Sequence, residues 1–97
     1  MIVAGVCDHL AALPVPPPKV VRPARCLPCL EAGARWRHLR MCLTCGFVGC
    51  CDASPLKHAL GHFQITGHPV VEVLHRRERW RYCYAHGIFL PPAVSVR

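Results

Sequence analysis

Acidic residues and long hydrophobic runs are both scarce in this sequence of 97 residues. Asp and Glu number 5 against 12 Lys and Arg, which gives a formal net charge of +7. The longest apolar run falls far short of the roughly 20 residues that a transmembrane helix needs. The sequence therefore predicts no membrane span, and its basic charge is compatible with an acidic partner or with nucleic acid.

The first residues lack the pattern of a secretory leader. Residues 1–6 are apolar, but no basic segment precedes them and no hydrophobic segment of signal-peptide length follows. Export to an oxidising compartment is therefore not expected. This bears on the 8 cysteines, because an even number in so short a chain would otherwise favour a secreted disulfide framework.

Closely spaced cysteines and histidines are what the sequence has in abundance. The twelve potential metal ligands are Cys7, His9, Cys26, Cys29, Cys42, Cys45, Cys50, His58, His62, His68, Cys83 and His86. A C-x-x-C pair brings two thiolates close enough to share a tetrahedral zinc ion, with Zn–S distances of about 2.3 Å. Histidines at helical spacing have no role in a disulfide scaffold. We therefore expect zinc and a reducing, cytoplasmic location in which free thiolates persist.

Local patterns predict a single small α+β domain over residues 1–97, with an antiparallel sheet and one principal helix. Strands are predicted at 35–43, 47–48, 70–74 and 80–84, where apolar or aromatic residues alternate or cluster. Residues 26–33 are interpreted as a metal knuckle that turns at Gly33. The proline-rich residues 13–18 are predicted to form an extended arm, and residues 75–79 a charged turn.

The principal helix is predicted to begin at Ser54, as N-cap, with Pro55 in its first turn. It should run to about Thr66 and end at Gly67. Leu56 and Phe63 contribute to its expected apolar face. His58 and His62, four residues apart, lie on one side of this helix, so their spacing alone would place both on one zinc ion.

The order of these motifs resembles the ubiquitin-specific-protease type (UBP-type) zinc finger, and most of all its short stand-alone versions in bacteria. The resemblance extends from Cys7 to His86, and its most specific part is formed by residues 42–51, 58–62 and 67–70. It implies three cross-braced zinc sites. These are Cys26 and Cys29 with Cys50 and His58, Cys42 and Cys45 with His62 and His68, and Cys7 and His9 with Cys83 and His86.

Sites with four protein ligands are structural, because hydrolytic zinc keeps a coordination position open for water. The acidic residues are scattered and none has the placement of a general base, such as that in H-E-x-x-H. We therefore expect a non-enzymatic, monomeric module that serves as a small protein- or peptide-binding adaptor.

The resemblance also implies a partner groove, formed by Trp36, Tyr82 and Tyr84, that binds the free C-terminal Gly-Gly of ubiquitin in eukaryotic relatives. Where the family has Cys-Gly-Arg-Tyr, this sequence has Cys50-Cys51-Asp52-Ala53. Asp52 would repel the carboxylate that the family's arginine binds, and no cation nearby in the sequence replaces that arginine. Binding of the ubiquitin tail is therefore expected to be weak or absent.

Two alternatives stay open. Arg76, Arg77, Arg79 and Arg81, beside Trp80, Tyr82 and Tyr84, could grip phosphates and stack on bases, as in a nucleic-acid-binding zinc protein. Cys51 is left over from the three sites, and it could serve a thiol redox or zinc sensor, although a small buried residue is the simpler interpretation.

Overall fold

A five-stranded antiparallel sheet forms the centre of the computed structural model, which describes residues 7–74 and 79–92. The strands are β1 (Leu39–Cys42), β2 (Val48–Cys50), β3 (Val70–Val73), β4 (Arg81–Cys83) and β5 (Ile88–Leu90). The helices are α1 (Leu27–Ala32), α2 (His58–Thr66) and a 3-10 helix at Asp8–Ala12. The predicted α+β class is confirmed. Within the described ranges, none of the helices has the length and apolar character needed to cross a bilayer.

The strands are arranged in the order β2-β1-β3-β4-β5, so β1 and β3 lie in the middle. Side chains alternate between the two faces of such a sheet. Leu39 and Met41 therefore point to one face, where they join the buried core with Val70, Cys83 and Leu90. The α1 helix contacts β2, and residues of the N-terminal segment such as Val20 and Ala24 pack against this core.

The opposite face carries a different set of residues. Arg40 is paired with Val73, and Val71 is paired with Tyr82, which is paired in turn with Phe89. Directly opposed residues share a face, so these side chains lie together. Helix α2 packs over β2 and β1 at one end of the sheet. It leaves the β4–β5 end of this face available for a site.

Helix α2 begins later than predicted. Its N-cap is Lys57, in a left-handed conformation with φ of 49° and without a side-chain cap. Ser54 does not cap the helix, because its buried Oγ accepts a hydrogen bond from the backbone N of Arg37 at 2.8 Å. The predicted end is confirmed, since the helix ends at Thr66 and Gly67 adopts a left-handed φ of 76°.

Other elements differ from the predictions in extent. Residues 26–33 contain a genuine helix, α1 (Leu27–Ala32), with Pro28 in its first turn and Gly33 as its C-cap at a φ of 67°. Strand β1 is shorter than the predicted 35–43, and strand β5 was not predicted. Residues 13–18 contain neither helix nor strand, and most of them are exposed. Residues 75–78 of the predicted charged turn lie outside the described residues.

Candidate metal centres and the adjoining sheet face

The first cysteine–histidine cluster joins α1, β2 and α2. It contains Cys26, Cys29, Cys50 and His58. The Nδ1 atom of His58 lies 3.3 Å from the Sγ atoms of Cys26 and Cys29 and 3.5 Å from Sγ of Cys50. All three cysteines are fully buried. Ligands about 2.0–2.3 Å from one tetrahedral ion would be separated by similar distances, so this cluster has the dimensions of a zinc site.

The second cluster lies where the turn after β1 meets α2. It contains Cys42, Cys45, His62 and His68. Cys42 Sγ is 3.6 Å from His68 Nδ1, and Cys45 Sγ is 3.3 Å from His62 Nε2. Phe47 stacks on the His62 ring at a centroid distance of 4.4 Å. Cys45 is exposed, so this cluster is more open to solvent than the first.

The third cluster joins the two ends of the described chain. It contains Cys7, His9, Cys83 and His86. Cys7 Sγ is 3.1 Å from His86 Nδ1, and Cys83 Sγ is 3.4 Å from His9 Nδ1. His9 lies in the 3-10 helix, and the buried Cys83 ends β4. The N-terminal segment is thereby brought against β4.

The three groups coincide with the sets that the resemblance implies, and in each the ligand atoms lie within 4.8 Å of one another. His58 and His62 belong to different groups. The resemblance implies this separation, whereas their spacing alone would place both histidines in one group. Burial raises the pKa of the Cys29 thiol to about 12, and the neighbouring Cys26 and Cys50 thiols add to this effect. Thiols packed in this way need a nearby cation to ionise, so the donor sets fit a metal such as zinc.

Cys51 is buried but belongs to none of the clusters. Its backbone N donates to the carbonyl of His38 at 2.9 Å, and its Sγ lies 3.7 Å from Oγ of Ser54. Burial would raise the pKa of this thiol, but the hydrogen bonds from Ser54 and the backbone, with the charge of Arg40, lower it overall. Only 5% of the residue is exposed, so Cys51 occupies the position of a small buried side chain.

Arg40 is the candidate site residue that sequence reasoning missed. Its side chain is only 13% exposed, and Nη1 donates a hydrogen bond to Oη of Tyr84 at 3.0 Å. The guanidinium lies 5.0 Å from the ring centroid of Tyr82 and 5.7 Å from that of Tyr84. Its Nη1 is also 3.9 Å from Oδ2 of Asp52. Asp52 therefore has a cation beside it in the fold, although that cation lies 12 residues away in the sequence.

Asp52 completes this small network. Tyr84 Oη donates to Oδ1 of Asp52 at 3.4 Å. Burial raises the pKa of Tyr84 to about 12, Arg40 opposes this rise, and Asp52 adds to it. Local spacing could not reveal this network, because β1 and the loop after β2 are brought together only by strand pairing. Alternation along β1 was the one available signal, since it places Arg40 opposite Leu39 and Met41.

A row of aromatic rings extends from α2 across the same face. Phe63 stacks on Tyr84 at 5.5 Å, Tyr84 meets Tyr82 at 5.0 Å, and Tyr82 meets Phe89 at 4.8 Å, all between centroids. All four rings are partly exposed. We call the surface formed by Arg40, Asp52 and these four rings the aromatic face.

Trp36 lies elsewhere. It packs against the buried core and lines a cavity of about 150 Å³ with Ala24, Leu39 and Leu74. Because Leu39 and Arg40 are consecutive in a strand, their side chains point to opposite faces. The structure thus brings Tyr82, Tyr84 and Asp52 together, while Trp36 accompanies Leu39.

Comparisons with known proteins agree with this geometry. The family described as "Zn-finger in ubiquitin-hydrolases and other protein" matches residues 26–92. The solution NMR structure of protein RPA1320 from Rhodopseudomonas palustris is similar, with a TM-score of 0.75 and 41% sequence identity over 93% of this chain and 85% of that chain.

A curated relative is a much longer protein that this chain matches over part of its length. "Ubiquitin carboxyl-terminal hydrolase 14" of Schizosaccharomyces pombe is 33% identical over 76 residues, which are 75% of this chain and 10% of that protein. This chain therefore spans about a tenth of the length of that hydrolase. The family match covers more than half of the sequence, and so the chain belongs to the UBP-type zinc-finger family found in ubiquitin hydrolases and other proteins.

Proposed function

We propose that this chain is a non-enzymatic zinc module in which three structural zinc ions support a sheet face that binds a protein or peptide partner. The observation that carries the proposal is the arrangement of twelve cysteines and histidines in three compact groups of four. Each group joins segments that are distant in sequence. A chain of this size buries a limited core, so metal coordination is an effective additional source of stability.

The closed ligand sets support a structural role for the metal. Four protein ligands leave a tetrahedral zinc ion without a position for water or substrate. The groups contain only cysteine and histidine, so no carboxylate stands among them to serve as a general base. Asp52, the acidic residue on the aromatic face, is engaged with Arg40 and Tyr84. We therefore propose binding, and no catalysis, as the activity of this module.

The aromatic face supports peptide binding. Half-buried tyrosines and phenylalanines supply contact area at low entropic cost, and the Tyr84 hydroxyl adds a polar handle. The name of the S. pombe hydrolase makes the C-terminus of ubiquitin the first partner to test. We propose that this tail is a weak ligand here, because the Asp52 carboxylate already faces Arg40 and would repel a second carboxylate.

The test is a titration with a peptide that ends in Leu-Arg-Gly-Gly, in free-acid and C-terminally amidated forms. The wild-type protein should bind both forms weakly. Asp52→Arg should bind the free acid more tightly, by the roughly 1.5–3 kcal/mol of a charge-assisted contact, and should leave the amide unchanged.

A matched control is Glu31→Arg, which makes the same change of charge at an exposed position of α1. Isothermal titration calorimetry on the zinc-loaded proteins would give the affinities. Tight binding of the free acid by the wild-type protein, with Asp52→Arg no better, would contradict the proposal. It would also indicate that Arg40 binds the carboxylate despite Asp52.

The described geometry offers less to the two alternatives. For nucleic acid, Arg76 and Arg77 lie outside the described residues, Arg79 Nη2 is 2.9 Å from Glu72, and Arg81 Nε donates to the carbonyl of Pro91 at 2.8 Å. For a thiol sensor, the burial of Cys51 limits access of an oxidant. Neither alternative gains an observation that favours it over peptide binding.

A further inference from the structure

Three cavities adjoin one another at Arg22, on the side of the protein that carries the N-terminal segment. The largest, about 420 Å³, lies between the proline arm and Leu43 of the turn after β1. The second, about 150 Å³, is lined by Trp36 and Leu39. The third, about 320 Å³, lies between Leu27 of α1 and Val48 of β2. Arg22 lines all three, and we call these three neighbouring cavities together the arm groove.

The arm groove is strongly basic. Lys19, Arg22, Arg25 and Arg37 line it and are exposed. No ion pair is formed by these four side chains within residues 7–74 and 79–92. The acidic residue in its lining, Glu72, lies 2.9 Å from Arg79 and is therefore already neutralised. An anionic partner would thus meet several cations and no exposed competing carboxylate.

Apolar walls separate these cations. Pro17, Val20 and Leu43 line the largest cavity, and Val21 and Leu27 line the third. Val21 is 80% exposed and Leu27 is 59% exposed. Contiguous exposed apolar residues bordered by charge are typical of surfaces that bind a partner. Neighbouring cavities that share a cation at their boundary suit the side chains of one extended peptide.

We propose that the arm groove binds an extended acidic peptide in which carboxylates alternate with apolar side chains. The carboxylates would pair with Arg22 and its basic neighbours, while the apolar side chains would enter the cavities beside Leu43 and Leu27. Single-stranded nucleic acid fits less well, because it needs a series of free ring faces for base stacking. Trp36 and Phe47 are among the lining residues, but Trp36 packs on the core and Phe47 stacks on His62, and most of the other walls are proline and aliphatic residues.

This surface is distinct from the aromatic face. Trp36 and Leu39 line the arm groove, whereas Arg40, the next residue of β1, points to the aromatic face. The proposal consequently does not depend on peptide binding by Tyr82 and Tyr84. A partner could occupy both surfaces or either one alone.

The test uses the zinc-loaded full chain and a fluorescent peptide, Glu-Leu-Glu-Val-Glu-Leu. We expect a rise in fluorescence anisotropy that diminishes with added salt, because exposed ion pairs are screened. The same peptide with glutamine in place of glutamate should not bind. A single-stranded thymidine oligonucleotide of matching length should bind more weakly. An equal or tighter affinity for the oligonucleotide would overturn the proposal, as would retained binding of the glutamine peptide.

Two arginine variants locate the site. Arg22→Gln should weaken the acidic peptide about tenfold, the order expected for loss of one charge-assisted contact. Arg35→Gln, which makes the same change at an exposed arginine outside the lining of the three cavities, should have little effect. Equal losses for the two variants would reveal a non-specific response to net charge and would refute the assignment.

Amide chemical shifts provide a readout that is independent of affinity. On addition of the acidic peptide, the largest changes should occur at Ala24, Leu27 and the Trp36 indole. If the changes lie instead at Tyr82 and Phe89, the peptide binds the aromatic face, and the proposed role of the arm groove is wrong.

Discussion

A methyl group added at Gly49 should separate α2 from the sheet. Gly49 lies in β2 beneath the first turn of α2. A Cβ atom there would stand 2.7 Å from the backbone N of Ala59, 2.9 Å from the carbonyl carbon of His58 and 2.9 Å from Cε2 of Phe47. Two of these neighbours are backbone atoms, which cannot rotate away as the end of a side chain can. Gly49→Ala therefore forces α2 to shift.

The expected effect has two parts. Overpacking a close contact typically costs about 1–3 kcal/mol, and we expect the upper part of that range because backbone must move. In addition, α2 carries His58 and His62, which belong to different metal groups. One displacement should thus weaken two zinc sites together, whereas a defect confined to the hydrophobic core would leave the metal affinities nearly unchanged.

Two assays on purified protein separate these effects. Guanidinium unfolding of the zinc-loaded protein measures the free energy of unfolding, and competition with a chromophoric chelator measures zinc affinity. Gly61→Ala is the control, because it makes the same change within α2 at a site where nothing beyond the surrounding helix backbone lies within 4 Å of the new Cβ. It should stabilise the protein by up to about 1 kcal/mol through helix propensity. Wild-type stability and zinc affinity in Gly49→Ala would refute the packing of α2 on β2.

Two further predictions concern single side chains. Cys83→Ser should lose one zinc ion and loosen the N-terminal segment while the other two sites stay filled. Cys29→Ser should instead unfold the domain, because Cys29 belongs to the cluster with three fully buried cysteines. Equal unfolding of the two variants, measured by circular dichroism, would contradict this ranking of the sites. Asp52→Asn should lower the pKa of Tyr84 from about 12 towards its ordinary value of 10.0, because Asp52 both repels the phenolate and accepts the phenol's hydrogen bond. An unchanged ultraviolet titration of Tyr84 would show that the two side chains do not interact.

The grouping of the cysteines and histidines was the most predictable feature of the candidate metal centres. Short-range spacing identified the ligand types, and the resemblance to a known family supplied the long-range partners. Spacing alone favoured a shared ion for His58 and His62, because a step of four residues keeps two side chains on one side of a helix. Their separation depends on Cys26 and Cys45, which approach α2 from different elements.

The ends of α2 were predicted well where no tertiary interaction competed with the local sequence signal. Gly67 ends α2 because glycine readily takes a left-handed φ. Ser54 misled the prediction of the start of α2, since its hydroxyl is used by the backbone of Arg37, in the segment before β1. This competing hydrogen bond can be seen only in the folded structure.

The aromatic face was predicted only in part, for a related reason. Alternation over residues 80–84 correctly placed Tyr82 and Tyr84 near one another. Arg40 reaches them through the pairing of β1 with β3 and of β3 with β4, and that order of strands cannot be read from local spacing. The same limitation applied to Trp36, which the resemblance implied as a groove residue but which packs with Leu39.

Counting zinc ions by native mass spectrometry tests the central claim most directly. The wild-type protein should carry three zinc ions and no disulfide bonds, and Cys83→Ser should carry two. Chelation of all three ions should abolish the near-ultraviolet circular dichroism of the tryptophans, because each structural site in model zinc fingers carries on the order of 10 kcal/mol or more of binding free energy. A folded, zinc-free protein would contradict the account.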